Sequence, residues 1–497
     1  MNRKSIIIIG GGLAGLSAGC YARMSGYDVR IFEHAAIPGG VCTSWKKKNY
    51  LIDGCIHWLM GHRPGVTVYE VYKELGVTDA ARFVDASSYI NFVDGRTGRR
   101  FEITADFEKT KAGLEEIAPE DKKTIEAFFR GCKALGLLQV PTGGTAKPGG
   151  ALGRLGSLWR QRKIALYFFM YNESLKDYVK GIKSAWVRDI IGNLFIEDMT
   201  TVFSMMLLGY FFNNQLGTVE GGSLRFVLPI AKKFKKLGGK MTFNATVEKV
   251  LVEDNAAVGV RLADGSEQRA DVVISAADLH ATLYDMLDDR YTGRRLASLF
   301  RDWPLFTPLM LVSFGVKGAI KRYPPVNVFF LKRPLTIGGK SIDRFMLRDY
   351  SYDRAMNPGD RTVIQGEIET DYDYWTGLRK KDEAAYYKEK DRVARMVLDS
   401  LEDFYPGIKA KVEMTDVATP YTYVRYTRNY RGAFEGWIMT GASLISPVPK
   451  TLPGLRNFYL AGQWVEPGGG VPTAVVSGRK CIKRVCRDDG RPFVTTA

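Results

Sequence analysis

The chain has 497 residues, 45% hydrophobic and 25% charged, with a formal net charge of +17. That length and balance imply two or three folding units with a large core and exclude a disordered protein. The positive excess suits an anionic cofactor or an anionic lipid surface. Basic residues are spread widely and no nucleic-acid module occurs, so nucleic acid is excluded as a partner.

In chain order, Arg3 and Lys4 precede only four isoleucines. That run is too short for a secretory leader and reads instead as a buried strand, Ser5 to Ile9, of a parallel sheet. Gly10, Gly12 and Gly15 follow at G-x-G-x-x-G spacing: the first for a tight turn, the second for close approach to a pyrophosphate, the third for packing helix on strand. Leu13 to Met24 reads as the helix, with Leu13 and Ala14 in a first turn whose N–H groups face phosphate. A second strand from Asp28 ends in Glu33, 23 residues after Gly10, near the ~20 expected of a ribose-binding acid. The turn Pro38-Gly39-Gly40 then brings Thr43 and Ser44 within expected reach of phosphate or ribityl oxygens.

Residues 66–76 and 106–135 have helical period, and the glycine-rich stretch 142–157 reads as a flexible loop before a helical region. Residues 159–169 mix cations with aromatics, which suits either an interfacial helix or a core-facing amphipathic one. The run 202–212 is apolar throughout and suits core or the wall of a greasy cavity. A helix is expected over Ser223–Leu237, kinked at Pro229, with a solvated lysine face at 232–236. Strands are expected at 241–244, 247–253, 256–262 and 271–275, the last returning to the parallel sheet. Further strands are expected at 309–316, 326–332 and 362–369, a helix at 382–403, and a strand at 457–461. Gly468, Gly469 and Gly470 precede a helix that Pro472 can begin. The N–H groups of that helix start, at Gly470, Val471 and Thr473, could lie against an electron-rich ring; for a flavin, they would stabilise negative charge on the N1–C2 side of the reduced ring.

The six cysteines form no C-x-x-C pair. They read as reduced packing thiols of a cytoplasmic protein, and no metal is expected. No stretch approaches the ~20 apolar residues of a membrane span, which leaves association with a membrane surface as the lipid contact to consider.

Four segments, GGGLAGLSAG with Glu33, PGGVCTSW from Pro38, NATVEKV, and AGQWVEPGGGVP, together resemble the amine-oxidase-type FAD superfamily. Within it they are similar to the phytoene desaturase and carotenoid isomerase branch, and the resemblance covers nearly the whole chain. It implies an α/β protein: a Rossmann-type FAD-binding domain assembled from 1–75, 220–288 and 450–497, with an inserted mixed sheet and helical substrate domain from 76–219 and 289–449. It also implies that the backbone of Val247 holds adenine and that Gly462 and Gln463 belong to the C-terminal flavin motif. Two departures stand out. Gln463 replaces a frequent acid, with Glu466 three residues on, and Asp53 is followed by Gly54, Cys55, Ile56 and His57 in place of a glycine-proline pair.

The function expected is an FAD-dependent oxidoreductase that moves hydride between flavin N5 and a hydrophobic isoprenoid or polyene substrate, with desaturation first. Flavin carries that chemistry, so few protein acids and bases are required. Of four histidines, His57 alone lies in a cofactor-proximal segment, and His57 and Glu466 are the candidate catalytic groups near the ring. The alternatives are a saturase, a cis–trans isomerase, an amine oxidase, or a non-catalytic carrier of FAD or lipid.

Overall fold

The computed structural model describes residues 3–496 apart from 137, 140, 143–161, 163, 319, 321, 322 and 358. The expected glycine-rich loop and the first part of the 159–169 stretch therefore lie outside the described residues.

The strand Ser5–Ile9 is the middle of a five-stranded parallel sheet in the order Lys240–Thr242, Asp28–Phe32, Ser5–Ile9, Val272–Ser275, Phe458–Leu460. Neighbours on both edges, helices over one face and a small three-stranded sheet, Val247–Glu253, Ala256–Leu262 and Glu267–Arg269, over the other explain the unbroken isoleucine run, because neither face meets water. Ile6 to Ile9 are each at most 3% exposed. Helix Leu13–Met24 covers one face together with the C-terminal helix Gly470–Asp488. The Ser17 hydroxyl donates to Val475 O at 2.6 Å, and the Gly462 N–H donates to Ser477 Oγ at 2.9 Å. The two ends of the chain thus share one core.

A second, seven-stranded sheet runs Val412–Ala418, Leu309–Lys317, Arg361–Glu369, Lys340–Asp349, Val326–Ile337, Ser88–Asp94, Arg100–Thr104. It is antiparallel except where Val326–Ile337 meets Ser88–Asp94. Period-2 alternation divides its faces. Ile364 and Ile368 pack outward under helix Glu383–Glu402, while Glu367 and Glu369 point the other way, into a cavity.

Helix Thr201–Phe212 is apolar all round, as a helix with no solvated face should be. One side joins helix Lys122–Leu135 in a buried cluster, and Val202, Phe203, Met206 and Leu207 line the cavity. The segment serves both roles considered for it. Two smaller sheets tie the layers together. Leu59–Met60 and Phe83–Asp85 flank Leu216–Val219, and hairpin Ser44–Lys47/Tyr50–Asp53 packs Tyr50 and Ile52 on Val363 and Met414 of the large sheet.

Local expectations differ in a few places. Residues 106–135 form two helices, Phe107–Ile117 and Lys122–Leu135, because Pro119 opens a separate turn between them. A short extra strand, Glu267–Arg269, follows the Asp264-Gly265 turn. The C-terminal helix begins at Gly470, two residues before Pro472. In helix Leu224–Lys236, Lys232, Lys235 and Lys236 are exposed, but Lys233 is half-buried and donates to Glu74 O at 2.6 Å.

Candidate functional site

A cavity of about 1010 Å³ lies between the parallel sheet and the large sheet. Its floor is the first glycine turn. Gly10 has φ +95°, and a Cβ on Gly15 would lie 2.0 Å from Gly10 O, so the helix approaches its strand at a distance no side chain permits. No side chain caps helix Leu13–Met24, and its first described backbone bond runs from Leu16 N to Gly12 O. The preceding N–H groups therefore stay available to an anion, with the helix dipole behind them.

Glu33 is 6% exposed at the end of its strand. One carboxylate oxygen accepts the Gly11 N–H at 2.5 Å and the other the Ala35 N–H at 2.7 Å. Burial pushes the carboxyl up, and those two bonds pull it back. Each oxygen keeps a lone pair for a ribose hydroxyl. Val247 lies on the same side, just past Ala245, whose N–H donates to Glu33 O at 2.9 Å. The far wall carries Gly462, Gln463, Glu466 and the turn Gly468-Gly469-Gly470, with φ of +98°, +61° and +85°. Helix Gly470–Asp488 starts there, again without a side-chain cap. Two uncapped helix starts, an acid at a strand end and three consecutive left-handed glycines make a cradle that fits FAD along its length.

Most expected cofactor contacts converge on this cavity: Gly10, Gly12, Leu13, Ala14, Glu33, Gly39, Gly40, Val247, Gly462, Gln463, Gly470, Val471, Pro472 and Thr473 all line it. Gly15, Thr43 and Ser44 do not. Gly15 packs beneath the turn. Ser44 is 3% exposed; its hydroxyl donates to Asp53 Oδ1 at 2.9 Å and accepts the Leu224 N–H at 3.3 Å. Asp53 Oδ1 also accepts the N–H groups of Gly54 at 3.1 Å and Ser223 at 2.8 Å. The hydroxyl expected at the phosphates instead joins a buried network holding the start of helix Leu224–Lys236. Sequence spacing alone does not distinguish those two uses of a serine.

Both candidate catalytic groups line the cavity. His57 Nδ1 is 3.2 Å from Glu367 Oε2, and its buried Nε2 has no partner among the described residues. Burial, and after it the charge of Arg348, hold the imidazole well below its ordinary range, so it is neutral. Arg348 donates to Glu367 Oε1 at 2.6 Å and to His57 O at 3.2 Å, and lies 4.6 Å from the Trp58 ring centre. Glu466 Oε1 binds both Lys450 and Lys480, the latter at 3.3 Å. Sequence reasoning passes over Arg348, Glu367 and Glu435, which come from segments that carry no motif. Only strand alternation hints at Glu367, as a charge on an otherwise buried strand.

No helix among the described residues is long and apolar enough to cross a membrane. Residues 13–486 match the family model for flavin containing amine oxidoreductases. The chain is similar to prolycopene isomerase 2 of an Oncidium hybrid cultivar, at 23% identity covering 97% of this chain and 84% of that protein. It is also similar to the neurosporene-forming phytoene desaturase of Rhodobacter capsulatus, at 27% identity covering 99% and 95%. Among solved structures, an oxidoreductase from Methanosarcina mazei shares the fold with a TM-score of 0.63 at 16% identity, covering 96% of this chain and all of that one. With the cradle and the family match in agreement, the chain belongs to the flavin-containing amine oxidoreductase family and is an FAD-dependent oxidoreductase.

Proposed function

We propose that this enzyme desaturates a long hydrophobic substrate of the isoprenoid or polyene class. The observation that carries this reading is the continuity of one cavity, from the glycine cradle to a wall of Phe203, Met206, Leu207, Leu309, Val328 and Met346. Such a wall excludes water and holds an apolar chain by burial, at about 25 cal/mol per Å² of apolar surface. Methionine lets it adjust to a bent or straight chain. Bound FAD supplies two-electron, hydride-accepting chemistry. In this reading the N–H groups of Gly470 and Val471 hold the pyrimidine edge of the ring. Neutral His57, oriented by Glu367, meets the substrate edge, and Glu466 sets the charge of its wall through Lys450 and Lys480.

The similarity to phytoene desaturases and prolycopene isomerases supports the substrate class and keeps isomerisation as a second reading. Anaerobic titration of the yellow holoprotein separates the two. A polyene that bleaches the flavin and gains a double bond identifies a desaturase; a polyene isomerised only by pre-reduced enzyme, with no net bleaching, identifies an isomerase. Bleaching by amines alone overturns both.

A peripheral membrane position is part of this proposal. Phe168 and Leu444 line the cavity, while their neighbours Phe169 and Ile445 are 78% and 85% exposed. Gly441 stands against Asn172, so the two segments adjoin. Co-sedimentation with anionic vesicles, lost on Phe169→Ser/Ile445→Ser, tests it. We also read residues 1–75, 220–288 and 450–497 as the FAD-binding unit and 76–219 and 289–449 as the substrate unit, which the separate sheets support.

A further inference from the structure

Removing two hydrogens from adjacent saturated carbons releases a hydride and a proton. Bound FAD would supply the acceptor for the first, and an apolar cavity offers little to accept the second. Most acids lining this cavity are already engaged. Glu33 accepts two backbone N–H groups, Asp278 accepts those of Ala281 and Tyr430 at 2.8 Å each, Glu367 is held by Arg348, and Glu466 by two lysines. Glu435 lines the same space and has no hydrogen-bonding or ionic partner among the described residues.

Its position is set by the glycine turn. A Cβ on Gly469 would lie 2.4 Å from Glu435 Cβ, and one on Gly470 would lie 3.9 Å from Glu435 Oε1. The two left-handed glycines thus leave room for this side chain, and its carboxyl lies beside the uncapped start of helix Gly470–Asp488. We infer that Glu435 is a catalytic base, which takes the proton from the carbon next to the one that surrenders hydride. This deepens the desaturase reading and rests on it. The C–H bond to that proton breaks, its electron pair becomes the π bond of the new alkene, the proton goes to a Glu435 carboxylate oxygen, and the hydride goes to bound FAD. Two hydrogens and two electrons leave the substrate.

Burial alone raises the Glu435 carboxyl to about 8, a value suited to exchanging protons near neutral pH. Cys55 is the titratable neighbour that senses its charge, and that thiol is held well above its ordinary range, first by its hydrogen bond with Cys42 and then by burial, so it stays neutral. Lys450 and Lys480, from the strand side and the helix side of the turn, are taken up by Glu466.

The test uses the holoprotein without turnover first. Flavin absorbance followed from pH 6 to 10 is expected to titrate near pH 8 in the wild type and not in Glu435→Gln, with Glu435→Asp restoring a displaced midpoint. Flavin content checks that each variant folds. Anaerobic reduction by a polyene is then expected to quicken with pH through about 8 in the wild type, and to become pH-flat and roughly 100-fold slower in Glu435→Gln. An unchanged midpoint in Glu435→Gln, no midpoint in the wild type, or a Glu435→Gln rate within about threefold of wild type overturns the assignment. Failure of every polyene to reduce the wild type overturns the desaturase reading itself, whatever the absorbance titration shows, so the two failures are distinguishable.

Discussion

The two halves of the cavity are built by different means. The cofactor half is mostly backbone: glycines without side chains, helix starts without caps, and one acid whose oxygens are partly held by the chain itself. The substrate half is mostly side chain, contributed by a helix and several sheet strands far apart in sequence. Backbone recognition demands short local motifs, because a turn is made by adjacent residues. Side-chain recognition demands only that distant strands present the right faces. The first half therefore tolerates almost no substitution, and the second can be reshaped while the cofactor stays bound.

The sharpest way to break that contrast is at Gly15. Gly15→Ala would force a Cβ to 2.0 Å from Gly10 O. The expected outcome is near-complete loss of flavin, read as absorbance per chain after purification; retention of bound FAD would show that the turn can relax and that backbone approach is not the limiting feature.

Next is the charged island in the substrate half. Arg348→Ala leaves Glu367 buried without its cation, and removing one partner of such a pair costs about 3–5 kcal/mol. Denaturant unfolding should show that loss, and Arg348→Met/Glu367→Leu should recover much of it. Flavin content should stay near the wild-type level in the double variant if the two halves are separable.

A smaller effect is expected from Met206→Trp, which fills part of the apolar wall. The substrate KM should rise roughly tenfold, the ~1–3 kcal/mol scale of overpacking, with bound flavin unchanged.

The last is a pH effect. Burial raises Asp278 from its ordinary 3.8 to about 7. A carboxyl whose folded value exceeds its unfolded one stabilises the fold fully below the unfolded value and loses that contribution as pH rises through the folded one. Thermal stability of the apoprotein should therefore fall from about pH 4 to pH 7, and Asp278→Asn should flatten that slope.

How much was legible in the sequence follows from this division. The glycine turn, the Glu33 strand end, the apolar helix around 202–212 and the C-terminal glycine turn are each local patterns, and the structure holds all four on one cavity. Ser44 shows where local reasoning stops. Small hydroxyls after a glycine turn suit a phosphate contact, but the partner that claims Ser44 is Asp53, and Gly222-Ser223 closes that network from some 170 residues away. Arg348 and Glu435 had no local signature and Glu367 only the alternation of its strand, since nothing adjacent to them in sequence explains a charge in an apolar place.

The sequence by itself determined the parallel sheet, the dinucleotide turn and the FAD family, because those depend on backbone conformations that only certain neighbouring residues can adopt. Only the tertiary structure decided which acids meet in the cavity, which are already satisfied, and that Glu435 is left without a partner among the described residues. Burial and pairing are properties of the space between distant strands, and no stretch of chain carries them alone.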